Sequence, residues 1–215
     1  MDTPPRAVEI PPLRLQALLG VPGRAIGLVI FAHGSGSGRL NPRNQRVAGA
    51  LREAGIATLL LDLLHPAEEG DRERVFDIAL LAQRLQQASA WAAGDPSTTR
   101  LPAGYFGAST GAGAALVAAS REPTRIAAVV SRGGRPDLAG EALAQVRAPT
   151  LLIVGSLDTQ VLQLNRLAQA QLGGPSELAI VPGATHLFEE PGTLDEVTRL
   201  ARDWFVRYLK VRPGQ

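Results

Sequence analysis

Short apolar runs rich in β-branched residues alternate along this chain with longer amphipathic segments, and this alternation constrains its fold more than any other feature. Runs of four to eight apolar residues are typical of buried strands, and the longer amphipathic segments are typical of helices. The pattern predicts βαβ units, and therefore a mostly parallel central sheet of about seven to eight strands with helices on both faces. The predicted strands cover residues 13–19, 26–32, 56–61, 103–106, 126–131, 150–155 and 177–181, with a further candidate at 8–10.

Three segments carry the signals of amphipathic helices. In residues 41–55, Asn41 is a favourable N-cap, Pro42 suits the first helical position, and Gly55 ends the helix. A second stripe falls at helical spacing in residues 75–85. The last helix is expected to begin at a capping box formed by Thr193 and Glu196. The apolar positions are Val75, Ile78, Ala82 and Leu85 in the second segment, and Val197, Ala201, Trp204, Phe205 and Tyr208 in the last.

Length and composition exclude several classes of protein. The 215 residues suit a single domain over 1–215, and 22 basic against 20 acidic residues, scattered and with few aromatic residues, make nucleic acid an unfavourable partner. No apolar run approaches the 18 residues of a membrane span and no signal peptide begins the chain, so we expect a cytoplasmic protein without a membrane partner. With no cysteine, disulfides, thiolate metal sites and a cysteine nucleophile are excluded.

Polar residues follow the predicted strands at three successive loops. Ser109 lies at the centre of Gly107-Ala108-Ser109-Thr110-Gly111, Asp158 follows the strand at 150–155, and His186 follows the strand at 177–181. Because the carboxyl ends of parallel strands meet at one edge of a sheet, we expect these side chains to lie close together. Their order along the chain is that of an α/β-hydrolase catalytic triad.

A serine hydroxyl is a weak nucleophile that needs a base, and the base needs an orienting group. His186 would take the proton of Ser109, and Asp158 would hold the imidazole. A turn between a strand and a helix strains the serine backbone by about 1–3 kcal/mol, and side chains at positions 107 and 111 would collide with nearby backbone. The amide of Thr110, at a helix N-terminus, and the amide of Ser35 are the expected donors to an oxyanion.

These motifs resemble those of the α/β-hydrolase superfamily, and most of all those of its small dienelactone-hydrolase-like members. The resemblance covers nearly the whole chain and rests on "FAHGSGSG", "GYFGASTGAGAAL", "PTLLIVGSLD" and "PGATHLFEEPG". It implies an α/β-hydrolase fold and a serine hydrolase that cleaves small carboxylic esters. Dienelactone hydrolases use a cysteine nucleophile where this chain has Ser109, which favours a general serine esterase.

Alternatives remain open at several positions. Asp137 and Asp195 are other candidates for the acid of the triad. His33 is expected to have a structural role, and His65 either lines the pocket or is a solvated loop residue. Arg132 and Arg135 follow a strand at the expected active-site edge, where either could bind a substrate carboxylate. Arg39 and Arg43 are further arginines in the first loop, and for all four the alternative is an ordinary surface arginine.

The remaining expectations concern ligands and other functions. The three histidines lack metal-ligand spacing, and the glycines at 34–38 lack the ending of a phosphate-binding loop, so no metal, nucleotide or cofactor is expected. The connection between residues 131 and 150 is too short for a large cap domain. The alternatives to an esterase are a lactone or dienelactone hydrolase with an anionic substrate, and a binding protein that kept the fold without the activity. A monomer or a homodimer is expected.

Overall fold

The computed structural model describes residues 4–209 and contains one eight-stranded sheet within them. The strands are β1 (Arg6–Ile10), β2 (Leu15–Gly20), β3 (Gly27–Ala32), β4 (Ile56–Leu61), β5 (Ala103–Ala108), β6 (Ile126–Arg132), β7 (Thr150–Gly155) and β8 (Ser176–Val181). Their order across the sheet is β1-β2-β4-β3-β5-β6-β7-β8. β2 is antiparallel to β1 and to β4, and the other neighbouring strands are parallel, as the alternation predicts. The candidate strand at 8–10 is confirmed as β1.

The central strands are apolar throughout because helices cover both faces of the sheet. Every residue of β3, β4, β5 and β7 is buried. The helices are α1 (Pro42–Glu53), α2 (Arg72–Val75), α3 (Ile78–Gly94), α4 (Thr110–Arg121), α5 (Thr159–Gln169) and α6 (Thr193–Tyr208), with a 3₁₀ helix at Pro136–Gln145. On one face, α1 and α6 pack over Phe31 and Phe106; on the other, α3 and α4 pack over Ile30 and Tyr105.

The first helix begins and ends as its sequence predicts. The side chain of Asn41 accepts hydrogen bonds from the amides of Arg43 and Asn44 at 3.0 and 3.3 Å, and Pro42 is the first helical residue. Gly55 follows the helix with a φ of +79°, a conformation that favours glycine.

Two predictions about the other helices are wrong in detail. The stripe at 75–85 does not form one helix, because Asp77 accepts a hydrogen bond from the amide of Leu80 at 2.9 Å and starts α3 after the short α2. The capping box of Thr193 and Glu196 does not form either. Gly192, with a φ of +79°, is the residue before α6, and the hydroxyl of Thr193 donates instead to the carbonyl oxygen of Glu190 at 2.7 Å. The predicted apolar face of α6 is buried, with Tyr208 only partly so.

Only the 3₁₀ helix and its short flanks connect β6 to β7, and this helix is kinked at Gly140. No cap domain covers the carboxyl edge of the sheet in the part of the chain that the structure describes, in agreement with the short connection in the sequence. The fold is therefore that of an α/β-hydrolase with an open edge. Among residues 4–209, no helix has both the length and the apolar character needed to cross a membrane.

Candidate active site

Ser109 lies in the turn between β5 and α4 and has a φ of 51° and a ψ of −125°. A residue other than glycine rarely adopts a positive φ, and this conformation costs about 1–3 kcal/mol. The side chain of Ser109 makes no capping hydrogen bond to α4, although the residue occupies the N-cap position. Its hydroxyl is therefore not committed to the helix that it precedes.

The glycines on either side of Ser109 are required by close contacts, as predicted. A Cβ atom on Gly107 would lie 2.5 Å from the Cα atom of Ala112, and a Cβ atom on Gly111 would lie 2.1 Å from the carbonyl oxygen of Ala32. Both contacts are with backbone atoms, which cannot move aside as a flexible side chain can. The G-x-S-x-G pattern at this turn is thus a steric requirement of packing α4 against β3 and β5.

Asp158 and His186 come together from the loops after β7 and β8. A hydrogen bond of 2.6 Å joins Oδ2 of Asp158 to Nδ1 of His186. A backbone hydrogen bond from the amide of Leu157 to the carbonyl oxygen of Ala184, at 3.0 Å, holds the two loops side by side. With Nδ1 bound to the carboxylate, Nε2 is the nitrogen that remains for proton transfer.

The turn after β6 adjoins both Ser109 and His186. The amide of Arg135 donates to the carbonyl oxygen of Ser109 at 3.0 Å. On the other side, a Cβ atom on Gly133 would lie 3.1 Å from the carbonyl oxygen of His186 and 3.6 Å from its Nδ1. The histidine and the nucleophile candidate therefore pack against the same three-residue turn, residues 133–135.

The two expected oxyanion donors are linked to each other through a side chain. The amide of Ser35 donates to Oγ1 of Thr110 at 3.1 Å. Thr110 is the first residue of α4, so its own amide has no partner within the helix. The loop after β3 is thus joined to the turn that carries Ser109, a contact that sequence reasoning missed because it is made by the Thr110 hydroxyl.

The side chain of His33 contacts the backbone of the loop after β3. Its Nδ1 lies 3.0 Å from the carbonyl oxygen of Ser37, and the side chain is almost fully buried. Burial lowers the pKa of His33 to about 4, an effect that Asp62 opposes and Arg132 reinforces. The imidazole is therefore neutral at pH 7, and a neutral ring with its proton on Nδ1 donates to Ser37. This structural role is the one expected from the sequence.

Arg132 and Arg135, the two arginines expected at the active-site edge, differ in their contacts. Arg132 is buried, and its Nη2 donates to Oδ1 of Asn44 at 3.3 Å. Burial lowers the pKa of Arg132 to about 10, and nearby Arg43 lowers it further. Arg135 holds Asp137 through two hydrogen bonds of 2.9 and 2.7 Å. Arg135 is therefore committed to Asp137, whereas Nε and Nη1 of the buried Arg132 have no hydrogen-bond partner within residues 4–209.

The other candidates take part in different contacts. Asp137 is bound to Arg135, and Asp195 forms an exposed ion pair of 2.5 Å with Arg46, so Asp158 is the predicted acid that the structure places on His186. His65 is exposed on its loop, where its Nδ1 accepts from the amide of Ala67 at 3.4 Å. Across residues 4–209, no group of three or more His, Asp and Glu side chains could hold a metal ion.

A cavity of about 370 Å³ lies beside the loop that follows β3. Its walls include Gly34 and Ser35, from the loop after β3, and Asp62, the residue that follows β4. Asp62 accepts from the backbone amide of Arg39 at 2.7 Å and also pairs with the Arg39 guanidinium. The signal for this feature in the sequence was an aspartate directly after a predicted strand, which sequence reasoning left unused.

Comparison with known structures places the chain in a family. No protein-family model matches it. The crystal structure of a dienelactone hydrolase from Anabaena variabilis has 51% sequence identity and a TM-score of 0.93, over 98% of this chain and 99% of that one. The chain belongs to the dienelactone hydrolase family of α/β-hydrolases. Carboxyl esterase 2 from Tuber melanosporum shares the fold at 18% identity and a TM-score of 0.72, over 97% of this chain and 88% of that one.

Curated relatives from two Mycobacterium tuberculosis strains carry a different name. Each is 57% identical over 212 residues, which is 97% of this chain, and each is named as a phosphoribosyl transferase. The chain spans about half the length of these relatives, 48%. The name therefore describes proteins of which about half lies outside the match.

Proposed function

We propose that the chain hydrolyses carboxylic esters through an acyl-enzyme formed on Ser109. The observation that carries this proposal is the 2.6 Å bond between Asp158 and His186, in a site where Ser109 occupies a strained turn at the start of α4. Membership of the dienelactone hydrolase family supports hydrolysis as the type of reaction. The serine in place of a cysteine favours simple esters as substrates.

In the first half of the reaction, Oγ of Ser109 attacks the ester carbonyl carbon while Nε2 of His186 accepts the hydroxyl proton. The Asp158 carboxylate accepts from Nδ1 and stabilises the imidazolium that forms. The negative charge on the tetrahedral intermediate receives a hydrogen bond from the amide of Thr110 and one from the amide of Ser35, which exchanges its bond to Oγ1 of Thr110 for the oxyanion. Each of these two bonds is worth about a 10²- to 10³-fold change in rate. His186 then gives its proton to the departing alcohol, and the acyl group remains on Ser109.

In the second half, water attacks the acyl-enzyme and His186 takes its proton. The second tetrahedral intermediate collapses, His186 returns the proton to Oγ of Ser109, and the carboxylic acid leaves. These steps need no cofactor, because the nucleophile, the base and the oxyanion donors all belong to the chain.

Hydrolysis of p-nitrophenyl acetate at pH 8 tests this proposal. Ser109→Ala should abolish the activity, and Asp158→Asn should lower kcat by about 10³- to 10⁴-fold because it leaves the imidazole without its orienting carboxylate. Ser120→Ala is a matched control. It removes a buried hydroxyl of α4 that bonds only to the carbonyl oxygen of Val117, so it should leave kcat within about twofold of the wild type.

Labelling with a fluorophosphonate separates an enzyme from a binding protein that kept the fold. Stoichiometric labelling of the wild type at Ser109, and none of Ser109→Ala, is the expected result. A folded wild type that neither labels nor cleaves the ester would contradict the proposal, and so would activity that persists in Ser109→Ala.

A lactone or dienelactone hydrolase acting on an anionic substrate is the second candidate, favoured by the 51% identity to a dienelactone hydrolase. In this candidate Arg132 or Arg135 binds the substrate carboxylate, which would require Arg135 to leave Asp137 or Arg132 to leave its buried position. Charge reversal by Arg135→Glu should then damage cleavage of anionic substrates far more than that of neutral ones. Equal effects on the two substrate classes would exclude Arg135 as the carboxylate-binding residue.

A further inference from the structure

The cavity beside the loop after β3 shares a wall with the proposed catalytic centre. Gly34 and Ser35 line the cavity of about 370 Å³. A Cβ atom on Gly34 would lie 2.8 Å from Cβ and 3.5 Å from Oγ of Ser109, and the Ser35 amide is bound to Thr110. An ester carbonyl held between Ser109 and the oxyanion donors would therefore lie at the entrance of this cavity.

The order of the strands determines which part of the ester faces the cavity. Ser109 follows β5, the cavity lies on the side of β3 and β4, and His186 packs against Gly133 on the side of β6. The departing oxygen must face His186 to receive its proton, and the oxyanion faces the two amides. The remaining substituent of the tetrahedral carbon is the acyl chain. Since Ser35 is both an oxyanion donor and a wall of the cavity, an acyl chain next to the oxyanion can enter the cavity on the side of β3 and β4.

We propose that this cavity is the acyl-binding subsite and that it selects an uncharged, apolar acyl chain of medium length. The inference rests on the proposed function of Ser109 and adds the class of substrate. A volume of about 370 Å³ is at the lower end of the range for ligand pockets, so it suits one substituent of an ester rather than a whole large ligand.

Apolar side chains form part of the cavity wall. Leu63 and Leu81 are buried members of the core on the α3 face, and Leu64 and Val75 are partly exposed beside them. Leu40 is 67% exposed and lines the same cavity. An exposed leucine in contact with a cavity offers apolar surface that a bound acyl chain would remove from water.

The charges around the cavity disfavour a carboxylate. The Arg39 guanidinium is engaged by Asp62, and His33 is neutral at pH 7. Glu69 also lines the cavity, and within residues 4–209 its carboxylate has no hydrogen-bond or ion-pair partner. The lining thus carries one more negative than positive charge, so an acyl chain that ends in a carboxylate would be repelled.

Three p-nitrophenyl esters with the same leaving group test the subsite: the acetate, the hexanoate, and the half-ester of adipic acid, which matches the hexanoate in carbon number but carries a carboxylate. In the wild type at pH 7, kcat/KM should be about tenfold higher for the hexanoate than for either of the others. Acetate hydrolysis measures the proposed function by itself, since an acetyl group does not fill the cavity.

Variants in the cavity wall should change the preference for acyl-chain length without changing hydrolysis of the acetate. Val75→Trp narrows the cavity and should lower kcat/KM for the hexanoate by about tenfold while that for the acetate stays within about twofold. Leu64→Ala should shift the preference toward longer chains. Leu167→Trp, at an exposed position of α5 outside the cavity, is the matched control and should leave the ratio of hexanoate to acetate unchanged.

Glu69→Gln tests the charge selection and should raise kcat/KM for the adipate half-ester by about threefold relative to the hexanoate. Glu73→Gln, an exposed residue of α2 outside the cavity, should not change this ratio. The proposal is overturned if Val75→Trp changes acetate and hexanoate hydrolysis in parallel or changes neither. It is also overturned if the wild type prefers the anionic ester. If acetate is not cleaved and Ser109 does not label, the proposed function fails and the subsite fails with it.

Discussion

The Thr110 hydroxyl connects the two backbone segments that we propose as the oxyanion hole. Its Oγ1 accepts the amide of Ser35 at 3.1 Å, although 75 residues separate the two positions along the chain. Because an oxyanion donor is effective only when it is held in place before the reaction, this bond can set the position of the Ser35 amide. Thr110 would then be a positioning residue through its side chain as well as a donor through its backbone.

Replacement of Thr110 by valine tests this role. Thr110→Val keeps the shape and removes the acceptor, so we expect kcat for p-nitrophenyl acetate to fall by about tenfold with little change in KM. Thr110→Ser, which keeps the hydroxyl, should restore most of the rate. Thr98→Val is the control. The buried hydroxyl of Thr98 donates to the carbonyl oxygen of Ala92 at 2.6 Å, so its removal should lower the free energy of unfolding and leave kcat unchanged. An increase of kcat in Thr110→Val would instead show that the hydroxyl competes for the amide.

Residue types and their order predict the candidates for the triad, since a serine, an aspartate and a histidine each follow a strand. Sequence cannot predict which polar atoms near them are already paired. Asp137 is the alternative candidate for the acid that follows the preceding strand, and only the structure shows that it is bound to Arg135 at 2.9 and 2.7 Å. The bond between Thr110 and Ser35 has no sequence signal either, because it depends on how closely α4 approaches the loop after β3.

At the scale of elements, a buried arginine fixes the connection between β4 and α3. Arg84 of α3 binds Glu68 through two hydrogen bonds of 2.6 and 2.7 Å, and also donates to the carbonyl oxygen of Leu63 at 2.8 Å. The hydrogen bonds from Arg84 are the main cause of a lowered pKa of Glu68, to about 2. Since Leu63 lines the cavity, this pair holds in place a wall of the proposed acyl subsite.

Removing the arginine should destabilise the protein and loosen this connection. Arg84→Met removes two hydrogen bonds from Glu68, whose carboxylate keeps the exposed Arg74 as an ion-pair partner. We expect the free energy of unfolding in urea to fall by about 2 kcal/mol. The double variant Arg84→Met/Glu68→Gln should recover part of this loss, because no partly buried carboxylate is left short of hydrogen-bond donors. Proteolysis within residues 64–77 should be faster in the single variant than in the wild type. A double variant that is no more stable than the single one would show that lost packing, and not the lost hydrogen bonds to the carboxylate, causes the effect.

The sequence predicts the start of a helix correctly where a single residue can cap it. It fails where two neighbouring residues could each begin the helix. Asn41 caps α1 as predicted. Thr193 and Glu196 have the spacing of a capping box, but Gly192 lets the chain enter α6 one residue earlier, and Glu196 binds Arg199 at 2.6 Å instead. The apolar stripe at 75–85 could not reveal that Asp77 would start a separate helix.

At the scale of the whole molecule, the alternation of strands and helices predicts a mostly parallel sheet and an active-site edge without a cap. It does not predict the strand order, in which β4 lies outside β3 so that β3 and β5 become neighbours. That order brings the loop after β3 next to Ser109, and His33, the residue that follows β3, is buried there. A buried histidine of this kind makes the stability of the whole fold depend on pH.

His33 should cause a loss of stability as the pH falls below about 6.5. Its pKa is about 4 in the folded protein, because burial disfavours the charged ring, and about 6.5 in the unfolded chain. Between these values the unfolded state binds one more proton than the folded state, so acid favours unfolding by up to about 1.4 kcal/mol per pH unit. Above pH 6.5 the contribution is fully present.

Urea unfolding at pH 7 and pH 4.5 measures this dependence. Over this interval the wild type should lose about 2 kcal/mol more than His33→Asn, which keeps a donor for the carbonyl oxygen of Ser37 but cannot titrate. Glu68 begins to lose its own contribution as the pH approaches 4.5, because its carboxylate is then partly protonated in the unfolded chain, but this loss is the same in His33→Asn and cancels from the difference. His65→Asn, at an exposed position, should behave like the wild type. If His33→Asn lost as much stability as the wild type, His33 would have to be protonated in the folded state as readily as in the unfolded chain. The conclusion that it is buried as a neutral ring would then be wrong.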